Sequence, residues 1–80
     1  MNESTIDLAE CQQFLLDLGA RVSKIRKNRE MSQQQLSDNS QLDRTYISAI
    51  EHGKQNVTVL AVAKLAAGLR VSMAELMGAP

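Results

Sequence analysis

An 80-residue chain that is 44% apolar has material for one compact core, and so for one domain rather than two. A single cysteine, Cys11, excludes an internal disulfide, and one Cys with one His cannot build a zinc site. No run of about 18 apolar residues exists to span a membrane, and nine Lys and Arg balance nine Asp and Glu to a net charge of zero.

That balance hides a division. Residues 1–20 hold four acids (Glu3, Asp7, Glu10, Asp17) and no base, which leaves nine bases against five acids, a net +4, in residues 21–80. Five of the bases fall between Arg21 and Arg29. A basic body behind an acidic arm permits nucleic-acid binding without proving it, because most charge clusters are solvated faces. The N-terminus lacks the basic and apolar regions of a secretory signal, and with the lone cysteine this reads as a chain of the reducing cytoplasm.

The first helix is expected from about Leu8 to Arg29. Leu8, Cys11, Leu15, Leu18, Val22 and Ile25 make one stripe at 3-4-3-4 spacing, with Ser4 and Asp7 as a candidate front cap and Gly19 as a candidate bend. Phe14 and Leu16 lie off the stripe and point to further packing of this segment. Ser32 with Gln35 forms a capping box for a second helix through about Asp38. Asp38-Asn39-Ser40-Gln41 reads as a turn. Asp43 caps a third helix, Arg44 to His52, stopped by Gly53. Thr58 caps a fourth from Val59 to about Ala67, closed by Gly68. Ser72 with Glu75 caps a last one through Met77. The elements predict an all-α, compact five-helix bundle as a single domain over residues 1–80, with residues 1–13 an arm or helix extension. Two short helices joined by a tight turn fit a helix-turn-helix.

Within it, Ile47 and Ile50 are expected to face the core with Leu36, which turns Arg44, Thr45 and Ser48 outward. An arginine meeting the O6/N7 edge of guanine is the commonest specific base contact, so Arg44 is the leading base reader, with Thr45, Ser48 and Tyr46 beside it. The plainer alternatives are an Arg44–Asp43 surface pair and a Tyr46 that only covers the core. Asp43 is expected as a cap rather than a reader. Ser32, Gln33 and Gln34 open the second helix, where free backbone N–H groups and the helix dipole favour a phosphate. His52 is expected to complement a helix C-terminus, and Cys11 to pack.

The stretch from Ile25 through Arg26-Lys27-Asn28-Arg29-Glu30-Met31-Ser32-Gln33-Gln34-Gln35 to Leu36 resembles the opening of phage Cro/CI-type (XRE) helix-turn-helix domains. Leu42 through Asp43-Arg44-Thr45-Tyr46-Ile47-Ser48 to Asn56 is similar to the recognition helix and following loop of restriction–modification controller proteins within that family. The resemblance covers residues 18–77. It implies a phage-repressor-like DNA-binding domain, a homodimer on double-stranded DNA, and control of restriction and modification genes. It further implies Gln33 as a phosphate clamp, Lys54, Gln55 and Asn56 as a second clamp, and Arg26 with Glu51 as a structural pair. Met73, Leu76 and Met77 form an apolar face at helical spacing that suits core packing; pairing through the last helices is also implied by the resemblance, with Leu60, Met73, Leu76 and Met77 as the dimer face. Three positions depart from the family pattern: Ser37 where Ala is usual, Gln41 where Gly is usual, and Val57 where Pro is usual.

No cofactor, metal, membrane or small-molecule ligand is expected. The alternative function is an antitoxin-like protein-interaction module that holds a partner with its N-terminal arm. An enzyme is excluded by the lack of a nucleophile–base set and of a glycine-rich phosphate loop.

Overall fold

A computed structural model describes residues 7–78. Five helices follow in order: α1 (Leu8–Asn28), α2 (Gln33–Ser40), α3 (Arg44–Glu51), α4 (Val59–Leu69) and α5 (Met73–Leu76), with no strand among the described residues. The all-α bundle expected from the pattern is therefore the architecture. In it α1 packs on α3, α2 on both α3 and α4, and α5 on α4 and α1. Leu18, Val22, Leu36, Ile47, Ile50, Val62, Leu65, Ala66, Leu69 and Leu76 form one core.

The capping residues read from the sequence hold their helix starts. Asp7 accepts from the amides of Ala9 and Glu10 at 2.9 and 3.3 Å. Ser4, the other residue expected at this cap, lies outside the described residues. Ser32 and Ser72 each complete a capping box with Gln35 and Glu75, Asp43 accepts from the Thr45 amide, and Thr58 from that of Ala61. Each such side chain satisfies amides that the helix itself leaves unpaired. His52 caps the end of α3, and Gly53 follows at φ +70, the left-handed geometry that favours glycine.

Several expectations fail for identifiable reasons. Residues 38–40 are helical, not a turn, because Gln41 takes the left-handed conformation (φ 60°, ψ 29°) that ends α2 later. The Ser37 hydroxyl then donates to the Leu42 carbonyl and the Ser40 hydroxyl accepts from the Leu42 amide, so side chains tie a turn that lacks the usual glycine. Gly68 does not close α4. It sits inside the helix against Leu36 and Ser40 of α2, and Arg70 provides the left-handed cap instead. Val59, the first residue of α4, is 77% exposed. Cys11 is exposed, not packed. Leu76 is fully buried within the one chain, which answers to the core-packing reading of its face and removes it from the candidate dimer face. The α5 carbonyl at Leu76 also accepts from Arg21 Nε of α1 at 2.8 Å.

Gly19 does not interrupt α1, which runs through it. A Cβ there would fall on the Ile50 carbonyl oxygen and come within 2.9 Å of that of Glu51, so the glycine lets α1 cross hard against the last turn of α3. Backbone atoms cannot swing aside as a side chain can. Gly19→Ala is therefore expected to destabilise the fold by about 3 kcal/mol despite its better helix propensity. Urea unfolding followed by circular dichroism checks this; an unchanged or raised midpoint would show that α1 and α3 have slack.

Candidate nucleic-acid interface

The rear of α3 is fixed first. Ile47 and Ile50 are 0% and 1% exposed, so the helix has one rotational setting on the core. Residues one, four and eight places beyond Arg44 then share its outward face. An open groove results, lined by Arg44, Thr45, Ser48, Ala49, His52 and Lys54. Three of the sequence-predicted readers, Arg44, Thr45 and Ser48, thus come together with one predicted phosphate ligand, Lys54. Ala49 and His52 are additions. Their i+4 relation to Thr45 and Ser48 was a legible signal for both. His52 also places Nδ1 2.7 Å from the Ser48 carbonyl, which suits its expected place at a helix end.

Tyr46 is turned to one side. It packs against the core and its hydroxyl reaches the Asn56 carbonyl at 3.5 Å, outside the groove lining. Asn56 itself faces the N-terminal half of α1, and Gln55 is exposed in the loop. At the start of α2, the Ser32 hydroxyl is occupied by the Gln35 amide. Gln34 donates to Asp38 across the helix surface at 3.0 Å.

A polar chain below the groove joins three helices. Arg26 of α1 grips Glu51 at the end of α3 with two bonds, Nε–Oε2 at 2.7 Å and Nη2–Oε1 at 3.0 Å. A third donor, Nη1, reaches the Met31 carbonyl before α2 at 2.8 Å. The Gln33 amide donates to Glu51 Oε1 at 3.1 Å, and its oxygen accepts from Arg44 at 3.3 Å. Gln33, predicted as a phosphate clamp, is thus the link between the buried pair and Arg44. That link was not read from the sequence. Arg44 is not diverted to Asp43, whose carboxylate is capping α3.

The side chains of Arg26 and Glu51 are only 11% and 6% exposed. Burial, the largest single influence, pushes the Glu51 carboxyl up. Hydrogen bonds from Arg26 and Gln33, with the charges of Arg26 and Lys27, outweigh it and hold the group below its ordinary value. Its bond to Glu51 raises Arg26 further above an already high value, against the opposing effect of burial. Among the described residues no buried side-chain nitrogen or oxygen is left without a partner. Nor, among the described residues, is any group of three His, Cys, Asp or Glu placed to hold a metal, or any helix long and apolar enough to cross a membrane.

Residues 22–76, which carry this geometry, match the family described as Helix-turn-helix. The chain belongs to this family, in its XRE-type branch. Among its helix-turn-helix relatives, control protein C.MunI of a Mycoplasma species is 41% identical over 59 residues, covering 72% of this chain and 80% of that protein. The restriction–modification controller C.AhdI of Aeromonas hydrophila superimposes with a TM-score of 0.76 at 35% identity, over 78% of this chain and 94% of that one. The controller C.Esp1396I, solved as a tetramer in complex with its natural 35 base-pair operator, gives 0.74 at 36% identity over 80% and 88% of the two chains. The chain is a helix-turn-helix DNA-binding regulator related to restriction–modification controller proteins.

The buried pair predicts two measurable effects. Arg26→Ala strands a buried carboxylate and is expected to cost about 3–5 kcal/mol in chemical unfolding. The ordinary value of the Glu51 carboxyl is 4.5 and its folded value is lower. The unfolded chain therefore binds this proton more readily, so the stabilisation is complete above about pH 4.5 and drains away as pH falls through the folded value. Urea titrations from pH 7 to pH 2 should show that decline, and Glu51→Gln should flatten part of it, costing most stability near pH 7 and converging on the unaltered chain at low pH.

Proposed function

We propose that this regulator binds a pseudo-palindromic operator as a homodimer and controls the genes of a restriction–modification system. Arg44, Thr45 and Ser48 read base edges in the major groove. Tyr46 stands beside them against the sugar–phosphate backbone. The observation that carries the reading is the joint presentation of Arg44, Thr45 and Ser48 in one open groove whose opposite face is sealed into the core. A helix so held offers side chains to bases without its own rotation blurring the register.

The ends of the interface belong to the phosphates. The first turn of α2, at Ser32, Gln33 and Gln34, offers backbone N–H groups and the positive end of the helix dipole. Lys54, Gln55 and Asn56 flank the other end. Leu60, Met73 and Met77, 63%, 38% and 41% exposed, form the surface for the second subunit. Two-fold symmetry would set the paired α3 helices about 34–36 Å apart, one turn of DNA. The similarity to controller proteins supports the assignment to restriction–modification genes.

Selecting duplexes from a random pool and footprinting the winners would define the operator. Against it, Arg44→Ala is expected to lose about 1–3 kcal/mol of discrimination, roughly 5- to 150-fold, with an unchanged melting temperature. Lys54→Ala should weaken operator and scrambled duplex alike and lower the salt slope by about 1. Equal binding of operator and scrambled DNA by the unaltered chain would overturn the proposal.

A further inference from the structure

Helix α1 outruns the body on which it packs. Leu18 and Val22 of its stripe are fully buried, but about two and three turns before Leu18 the stripe residues Cys11 and Leu8 are exposed, Leu8 at 71%, and off the stripe Phe14 is 38% exposed. The described family match begins only at residue 22, beyond this segment. The molecule is correspondingly elongated. Its extents are 46 × 27 × 19 Å and its radius of gyration is 13.1 Å, where a compact chain of this length has about 11.6 Å. A short amphipathic extension draws most of its helical stability from a surface that covers its apolar face. Part of that face is already shaped: Glu10, Cys11, Phe14 and Leu15 with Asn56 and Val57 line an open groove of about 500 Å³.

We infer that a second copy of this chain fills the groove, inserting the exposed Val59–Leu60 turn that opens its α4. The inference rests on the homodimer reading and adds the α1 arm to the dimer. Three observations select this occupant. First, groove and plug adjoin: Val57 lines the groove, and Val59 and Leu60, 77% and 63% exposed, follow it directly. Adjacent complementary features are what a two-fold interface needs, since each plug then enters the other subunit's groove.

Second, the charges agree. Glu10 stands on the groove, and residues 1–20 carry four acids and no base. Lys64 lies one turn beyond Leu60 on the same side of α4, so the incoming helix brings a cation toward Glu10. Third, the α4–α5 face alone offers only Val59, Leu60, Met73 and Met77 as exposed large apolar side chains. That is a small patch beside the roughly 800 Å² per subunit that stable interfaces bury, and the arm extends it.

Sedimentation equilibrium of the full chain tests the inference, with Leu60→Asp as the control for dimerisation itself. Phe14→Ser and, as a second variant on an exposed charge, Glu10→Lys are each expected to raise the dimer dissociation constant about tenfold or more with α3 and the core intact. Cys11, the chain's single thiol, supplies an internal probe: its alkylation by a soluble maleimide should slow as rising concentration forms dimer. If Leu60→Asp gives monomers while both arm variants dimerise normally and Cys11 reacts equally in monomer and dimer, the arm is outside the interface and only this inference falls. A chain that stays monomeric at every concentration, and binds operator as a monomer, overturns the inference and the homodimer reading together.

Discussion

The grip of Arg26 on Glu51 ties together the three helices that frame the candidate interface. Its guanidinium takes both carboxylate oxygens at the end of α3 and the Met31 carbonyl just before α2. One planar group thereby sets where α3 ends and where α2 begins. Buried ion pairs contribute little net stability, because desolvation offsets most of the attraction. Their geometry is stringent all the same: a planar fork meets a carboxylate in two parallel bonds or not at all. With Ile47 and Ile50 sealed in the core, the pair fixes the height and the tilt of α3, and the apolar residues fix its rotation.

Much of this was legible in the sequence. Caps announce themselves by residue type, and Ser32, Asp43, Thr58 and Ser72 all serve as read. The expected rear face of α3, with Leu36 beneath it, also holds. What failed was local in a revealing way. Gly68 reads as a helix stop, but a helix also needs glycine where a neighbour comes close, and only the packing of α2 on α4 tells the two uses apart. Residues 38–41 read as a turn by composition, yet three of the four continue α2, because Gln41 accepts a left-handed conformation with serine hydroxyls bracing the turn. Leu76 reads as one member of an apolar face with Met73 and Met77, and no spacing rule says which side of a one-turn helix turns inward.

The candidate site was legible as a set of outward residues and illegible as a network. Arg44, Thr45 and Ser48 follow from helical periodicity once the rear face is known. The tilt of Tyr46 toward Asn56 and the double engagement of Gln33 depend on how separate segments meet, which periodicity does not encode. The first half of α1 shows the same limit from the other side. Its stripe predicts burial correctly where the body lies beneath it and incorrectly where the helix runs past the body's edge.

The position of Gln33 bears on how tightly a duplex is held. Its amide group is anchored on Glu51, so the bond it accepts from Arg44 restrains a side chain that would otherwise sample many rotamers in water. Immobilising such a chain at an interface costs about 0.5–1.5 kcal/mol. Part of that ordering is already spent in the free protein, during folding, when the core and the buried pair are formed. On the proposed reading, an arginine already restrained in the free protein surrenders less disorder on meeting a base, and a smaller share of the contact energy goes to organising the protein.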